Sequence, residues 1–303
     1  MIKTVHAFLG IILQAFPFLI TGVLLSSIIG IFVSRRFIER YFPKNVSAGI
    51  AFALVGGFCL PVCDCVSIPV FRSLVKKGIP LTSAVVFMTA SPVINPVVIL
   101  STYYAFGGNM HVVFARVLLG TLCSVLTGLS FLIRKPQNVL LPGEHFGSCD
   151  CGCEQNPEEK RESAYKTFIR FLEHSRREFF GVGTYLIAGA ALSAAFQTLG
   201  GNLPFILGGA GKALSLFIMT AFAFLLSLCS SSDAVIGRTF MPQFSIGSIM
   251  GFLVFGPMMD IKNIFMLLGG FTKRFTVRLL ISSFAVCYIV LFTCILCGLE
   301  VLL

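Results

Sequence analysis

Eight apolar stretches dominate the chain, at about 7–34, 47–71, 79–105, 111–133, 178–199, 212–235, 245–270 and 276–299. Each is long enough to cross the hydrocarbon layer of a bilayer, which takes about 20 residues as a helix. A segment in lipid has to satisfy its backbone hydrogen bonds internally, so such a chain is expected to be an all-α polytopic membrane protein. Composition agrees: 56% of the 303 residues are hydrophobic and 12% are charged, with 32 Phe and no Trp. A soluble domain has about 45–50% apolar and about 25% charged residues. These figures exclude a secreted enzyme, a nucleic-acid-binding module and a disordered protein, and they make membrane lipid the first partner. The net charge of +10 fits the gathering of Lys and Arg in cytoplasmic loops and calls for no nucleic acid. The first stretch is too long for a signal-peptide core and lacks a small-residue cleavage site, so it reads as a helix that stays.

A polar stretch divides the chain into a first membrane repeat at 1–134, a polar cytoplasmic linker at 135–177 and a second membrane repeat at 178–303. The halves resemble each other. Phe18-Leu19-Ile20-Thr21-Gly22 recurs as Tyr185-Leu186-Ile187-Ala188-Gly189, and Phe87, Pro92 and Asn95 are matched at one constant offset by Phe252, Pro257 and Asp260. Between these anchors Cys63-Asp64-Cys65 falls against Cys229-Ser230-Ser231-Ser232-Asp233. Internal duplication is common in transporters, which place the substrate site at the repeat interface near the midplane.

Charge chooses between parallel and inverted repeats. Eight simple crossings strand many basic residues outside whichever way the chain starts. If the second and sixth stretches instead enter and return on one side, with the N-terminus outside, the 23 Lys and Arg all fall inside except Lys3, Arg116, Lys212 and Arg238. Each half then has three transmembrane helices plus one re-entrant or broken hairpin, and the two repeats are inverted. Helix breaks are expected at Pro61 and Pro69, at Pro92 and Pro96, and at Pro257, because proline removes an amide donor. Irregular backbone at membrane depth is tolerated where protein or a watery cavity satisfies it.

Three acids, Asp64, Asp233 and Asp260, lie within the apolar stretches, each on a repeated break. A carboxylate at the bilayer centre costs about 3 kcal/mol even on insertion scales, so these three are the candidates for proton or ion coupling. Cys63 and Cys65 flank Asp64, with Cys59 upstream and Cys229 in the mirror position. In an extended turn residues i and i+2 share a side, so two thiols there would hold one soft centre such as Cu(I), Zn(II) or trivalent arsenic. Asn95, Ser230, Ser231 and Ser232 supply a polar lining. Arg238 is a candidate partner for Asp233 or for a lipid phosphate. Cys123, Cys287, Cys294 and Cys297 read as small apolar packing residues.

The linker cysteines Cys149, Cys151 and Cys153 form a candidate metal hook, although their spacing matches no closed zinc site. No phosphate-binding loop, Ser/His/Asp arrangement or zinc-protease helix occurs, so an enzyme is not expected, nor is a cofactor.

The run Pro61-Val62-Cys63-Asp64-Cys65-Val66-Ser67-Ile68-Pro69, then Gly78-Ile79-Pro80 and Ser91-Pro92-Val93-Ile94-Asn95-Pro96, resembles the signature of the bacterial predicted-permease family of the ArsP and YraQ type. Leu228-Cys229-Ser230-Ser231-Ser232-Asp233-Ala234 is similar to that family's second motif. The resemblance covers almost the whole membrane part and not the linker. A typical member carries Ser or another small residue where this chain has Asp64. The resemblance implies a multi-pass permease of the bacterial plasma membrane. One kind of member exports trivalent organoarsenicals, whose two exchangeable positions suit two thiols. Another is half of a two-component permease, which would give the chain a second membrane subunit, with a homodimer as the alternative. A membrane redox or metal sensor acting through the linker cysteines is a third reading.

Overall fold

The computed structural model describes residues 2–32, 42–43, 45–60, 63–133, 136, 139–140, 164–200, 211–230 and 232–298. Pro61, Ser231 and the linker cysteines Cys149, Cys151 and Cys153 lie outside them, as does the side chain of Cys65. In the first half the helices are α1 (Ile2–Phe32), α2 (Val46–Cys59), α3 (Asp64–Lys76), α4 (Leu81–Ile94), α5 (Pro96–Ala105) and α6 (Met110–Ile133). The second half has α7 (Ala164–Gly200), α8 (Lys212–Leu226), α9 (Asp233–Thr239), α10 (Ile246–Met258), α11 (Ile261–Leu268) and α12 (Lys273–Leu296).

Among the described residues six helical runs are long and apolar enough to cross a membrane: α1, α4 with α5, α6, α7, α10 with α11, and α12. The helices α2 and α8, with 14 and 15 residues, fall short of the roughly 20 residues a crossing needs. Each is followed within a few residues by a second short helix, α3 or α9. From Ala164 the charged end of the polar stretch runs without interruption into the fifth apolar segment. Together they make the 37-residue α7.

Two of the long runs are broken and recapped within the core. Between α4 and α5 the Asn95 side chain accepts from the Val97 amide at 2.9 Å, and Pro96 takes the first helical position. Proline suits that position because its missing amide would have no intrahelical partner there. Between α10 and α11 the Asp260 carboxylate accepts from the Asn263 amide at 2.7 Å. Asn95 and Asp260, matched in sequence, thus do the same work in the two halves. Three of the expected breaks are corrected: Pro69, Pro92 and Pro257 all lie inside helices. The Pro69 carbonyl accepts from Ser26 Oγ at 3.2 Å, which ties α3 to α1.

The broken helices α4 and α10 form the centre, where every residue from Thr82 to Asn95 and from Gly247 to Asn263 is buried. Around them α2 and α6 pack on α4, and α8 and α12 pack on α10. The short helices cross between halves, α3 against α11 and α9 against α5. The long helices α1 and α7 pack on each other, α1 on α3 and α7 on α11. Phe71 on α3 stacks on Phe271 with ring centres 4.9 Å apart, joining the halves at the far end of α3.

Candidate functional site

The two interrupted stretches end in turns that meet in the core. Cys63 caps α3 from an extended conformation, and Asp64 is its first helical residue. In the second half Ser227 leaves α8 in the left-handed region at φ 52°, ψ 49°, and the chain then passes Leu228, Cys229 and Ser230 before Asp233 opens α9. The Cys229 thiol donates to Asp64 Oδ1 at 4.0 Å. Residues from opposite halves of the sequence therefore touch where apolar helices have given way to turns.

Asp64 is completely buried and sits in a cluster of three charges. The Lys262 ammonium lies 3.3 Å from Asp64 Oδ2 and 3.2 Å from Asp260 Oδ2. Lys262 is fixed through its backbone, since its amide donates to Ser227 Oγ at 3.2 Å. A glycine on the neighbouring helix makes this placement possible: a Cβ on Gly189 would lie 2.8 Å from Lys262 Cα, so any side chain there would force α7 and α11 apart. Ser67 Oγ donates to the Asp64 carbonyl at 2.7 Å and tightens the first turn of α3.

A second buried cluster joins the halves in the opposite sense. Arg116, on α6, donates through Nη2 to Asp233 Oδ2 at 2.5 Å and through Nη1 to Thr102 Oγ1 at 2.7 Å. The two ionic side chains are 1% and 3% exposed. The acid that opens the short helix of each half is thus paired with a base from the other half. Breaking a buried pair strands a charge and costs about 3–5 kcal/mol, so the two pairs hold the halves in one arrangement.

The remaining sequence candidates divide. Cys63 and Ser230 are buried, Cys229 and Ser232 are half-buried, and Cys59 is exposed at the end of α2. Ser232 Oγ donates to the Cys229 carbonyl at 3.1 Å, and Asn95 is committed to its cap. The extended turn expected around Cys63 and Cys65 is not formed. The backbone at Cys65 is already in the first turn of α3, and the thiol in contact with Asp64 among the described side chains is that of Cys229. Arg238 is not the base paired with Asp233: it donates through Nη1 to the Ala105 carbonyl. Among the described residues no three His, Cys, Asp or Glu side chains are grouped to hold a metal ion.

Comparison with known proteins shows the family. A family model described as predicted permease, of the ArsP type, matches residues 1–297. The chain belongs to that permease family. The UPF0718 protein YcgR of Bacillus subtilis is 40% identical over 273 residues, 90% of each chain. A Streptococcus mutans protein named as a subunit of a two-component membrane permease complex is 29% identical over 294 residues, 96% of this chain and 93% of its own. No solved structure matches. The permease is a multi-pass membrane protein, for which the bacterial plasma membrane is the fitting location.

Sequence reasoning missed the two bases of this permease. Lys262 was expected in a cytoplasmic loop and Arg116 on the outer side, yet both are buried to 2% or less, so neither reports which way the chain crosses. The available signal was Arg116 itself. It stands six residues into the apolar run of α6, and an ionisable group there has to face the bundle and find a partner.

Proposed function

We propose that a small, soft, thiol-reactive solute passes between the two interrupted segments of this permease, beside Asp64, Cys63 and Cys229. The observation that carries the reading is the contact of the Cys229 thiol with the Asp64 carboxylate, one thiol and one acid from turns of opposite halves. Polar turns, a buried acid and small hydroxyls collected at the centre of an apolar bundle are the kind of site transporters use. Trivalent organoarsenicals fit the chemistry, since two thiols satisfy their two exchangeable positions, and the direction that protects a cell is export.

The name of the Streptococcus mutans relative supports an assembly with a second membrane subunit. The exposed side of α5 and α9 offers it a surface: Val97, Leu100, Tyr104 and Val235, with Met241 just beyond α9, are all exposed, Tyr104 to 76%.

Efflux of a methylated arsenic(III) compound from loaded vesicles tests the solute. Cys229→Ser and Cys63→Ser are each expected to lower the rate at least tenfold, and unchanged efflux in both would overturn the reading. A chain that is inert alone but active when copurified with a second membrane protein establishes the two-component assembly. Full activity of the isolated chain refutes it.

A further inference from the structure

Three bases gather at the start of α12. Lys273 and Arg274 open the helix and are exposed, and neither makes a hydrogen bond or ion pair with a described residue. Arg278, one turn further, is fixed on α6. Its Nη2 donates to the Ser130 carbonyl at 3.2 Å, and its guanidinium carbon lies 4.7 Å from the centre of the Phe131 ring. A guanidinium has five N–H donors, so that one bond leaves most of them for a ligand. Neither α6 nor α12 carries an acid. The positive charge on this seam therefore has no counter-charge on the two helices that form it.

Beyond the bases the same face of α12 is apolar and hollow. A groove of about 590 Å³ runs from them along Val277, Ile281 and Ala285. These positions recur every four residues, so they lie on one side of the helix. Val277 and Ile281 are 52% and 62% exposed, in a helix long and apolar enough to span a membrane. From Lys273 to Ala285 the helix rises about 18 Å, slightly more than half of a hydrocarbon core roughly 30 Å thick. A ligand that fits is an anion at one end and a hydrocarbon at the other. Free phosphate meets only the first requirement, and an apolar helix only the second.

We infer that this groove is a specific site for one anionic phospholipid. Its phosphate is held by Lys273, Arg274 and Arg278, and an acyl chain lies along Val277, Ile281 and Ala285. Because Arg278 also grips Ser130, the bound headgroup ties α12 to α6. The site does not depend on which solute the permease carries.

Basic residues near the end of a spanning helix attract anionic lipid in a general way. Two observations make this a site. Arg278 is positioned by Ser130 and Phe131 before a ligand arrives, and a guanidinium held in place can take two phosphate oxygens through parallel bonds. The acyl side is a groove with room for a chain, not a flat helix face.

Native mass spectrometry of the full-length protein in neutral detergent tests this, with phosphatidylglycerol and phosphatidylcholine of identical chains as probes. One phosphatidylglycerol is expected to stay bound, about tenfold or more tighter than phosphatidylcholine. Lys273→Gln with Arg274→Gln should bring the ratio close to one. Ile281→Trp fills the groove and leaves every base in place, and it should lose the lipid as well. Arg176→Gln with Arg177→Gln removes two exposed charges from α7 and should leave the preference intact. Inorganic phosphate at millimolar concentration should not displace the lipid. Equal binding of the two lipids by the wild type, or loss of the preference in the α7 variant, would overturn the site by reducing it to general attraction between charges. Wild-type binding by Ile281→Trp would overturn the groove, and displacement by inorganic phosphate would make this a phosphate site instead. A second membrane protein that copurifies and is released by Lys273→Gln with Arg274→Gln would assign the groove to that protein and refute the lipid.

Discussion

Cys229 and Asp64 are 165 positions apart in the sequence, yet the thiol of one donates to the carboxylate of the other. Replacing Asp64 by Cys sets two thiols at this contact. Mild oxidation of Asp64→Cys should link the two turns and make the chain migrate faster in non-reducing gels, and Cys229→Ser should abolish the shift. Failure to cross-link under conditions that oxidise exposed thiols would mean that the turns do not meet.

The Arg116–Asp233 pair makes a prediction about rescue. Arg116→Met leaves Asp233 buried without a cation and should cost about 3–5 kcal/mol, read as a lowered melting temperature in detergent. Removing the stranded charge as well, in Arg116→Met with Asp233→Asn, should restore more than half of the loss. A double variant no better than the single one would show that the arginine acts mainly by packing.

Two glycines give contrasting outcomes. A Cβ on Gly22 would lie 2.6 Å from Val66 Cγ1, whereas one on Gly189 would meet the backbone of Lys262. Overpacking of this kind costs about 1–3 kcal/mol. Gly22→Ala should lower thermal stability, and Val66→Ala should largely repair it because the clashing atom is removed. No side-chain truncation should repair Gly189→Ala, and that variant should also lose transport by displacing Lys262. Equal rescue at both sites would contradict the geometry.

Labelling tests whether the halves are inverted. Lys76 and His111 are both exposed, at the end of α3 and the start of α6. With cysteine at either position in a background that lacks the native thiols, an impermeant maleimide added to whole cells should modify position 111 and spare position 76. Labelling at 76 from outside would reverse the hairpin.

The fold class and the acids of the site were legible because both follow from the cost of placing polar groups in lipid. Long apolar runs leave few alternatives to a helical bundle, and Asp64, Asp233 and Asp260 stood out because carboxylates are rare there; all three are buried to 2% or less. The partners of those acids were not legible. The rule that basic residues face the cytoplasm treats every Lys and Arg as a surface charge, and it sorted Lys262 and Arg116 by loop position. Which thiol faces Asp64 was also hidden, since it depends on whether the residues after Cys63 continue extended or begin a helix. Proline marked the broken regions only approximately. The interruption falls at the residue that caps the next helix, Asn95 or Asp260, because a cap satisfies the amides that the break exposes.

The continuous helix α7 has a mechanical meaning. At 37 residues it is about 55 Å long, nearly twice the roughly 30 Å thickness of a hydrocarbon core, so a good part of it projects beyond the membrane. Its inner portion rests through Gly189 directly on the backbone of Lys262. A torque applied to the projecting arm, by a docked protein or by the segment that precedes it, is delivered as by a crank to the one lysine on which the central charges depend.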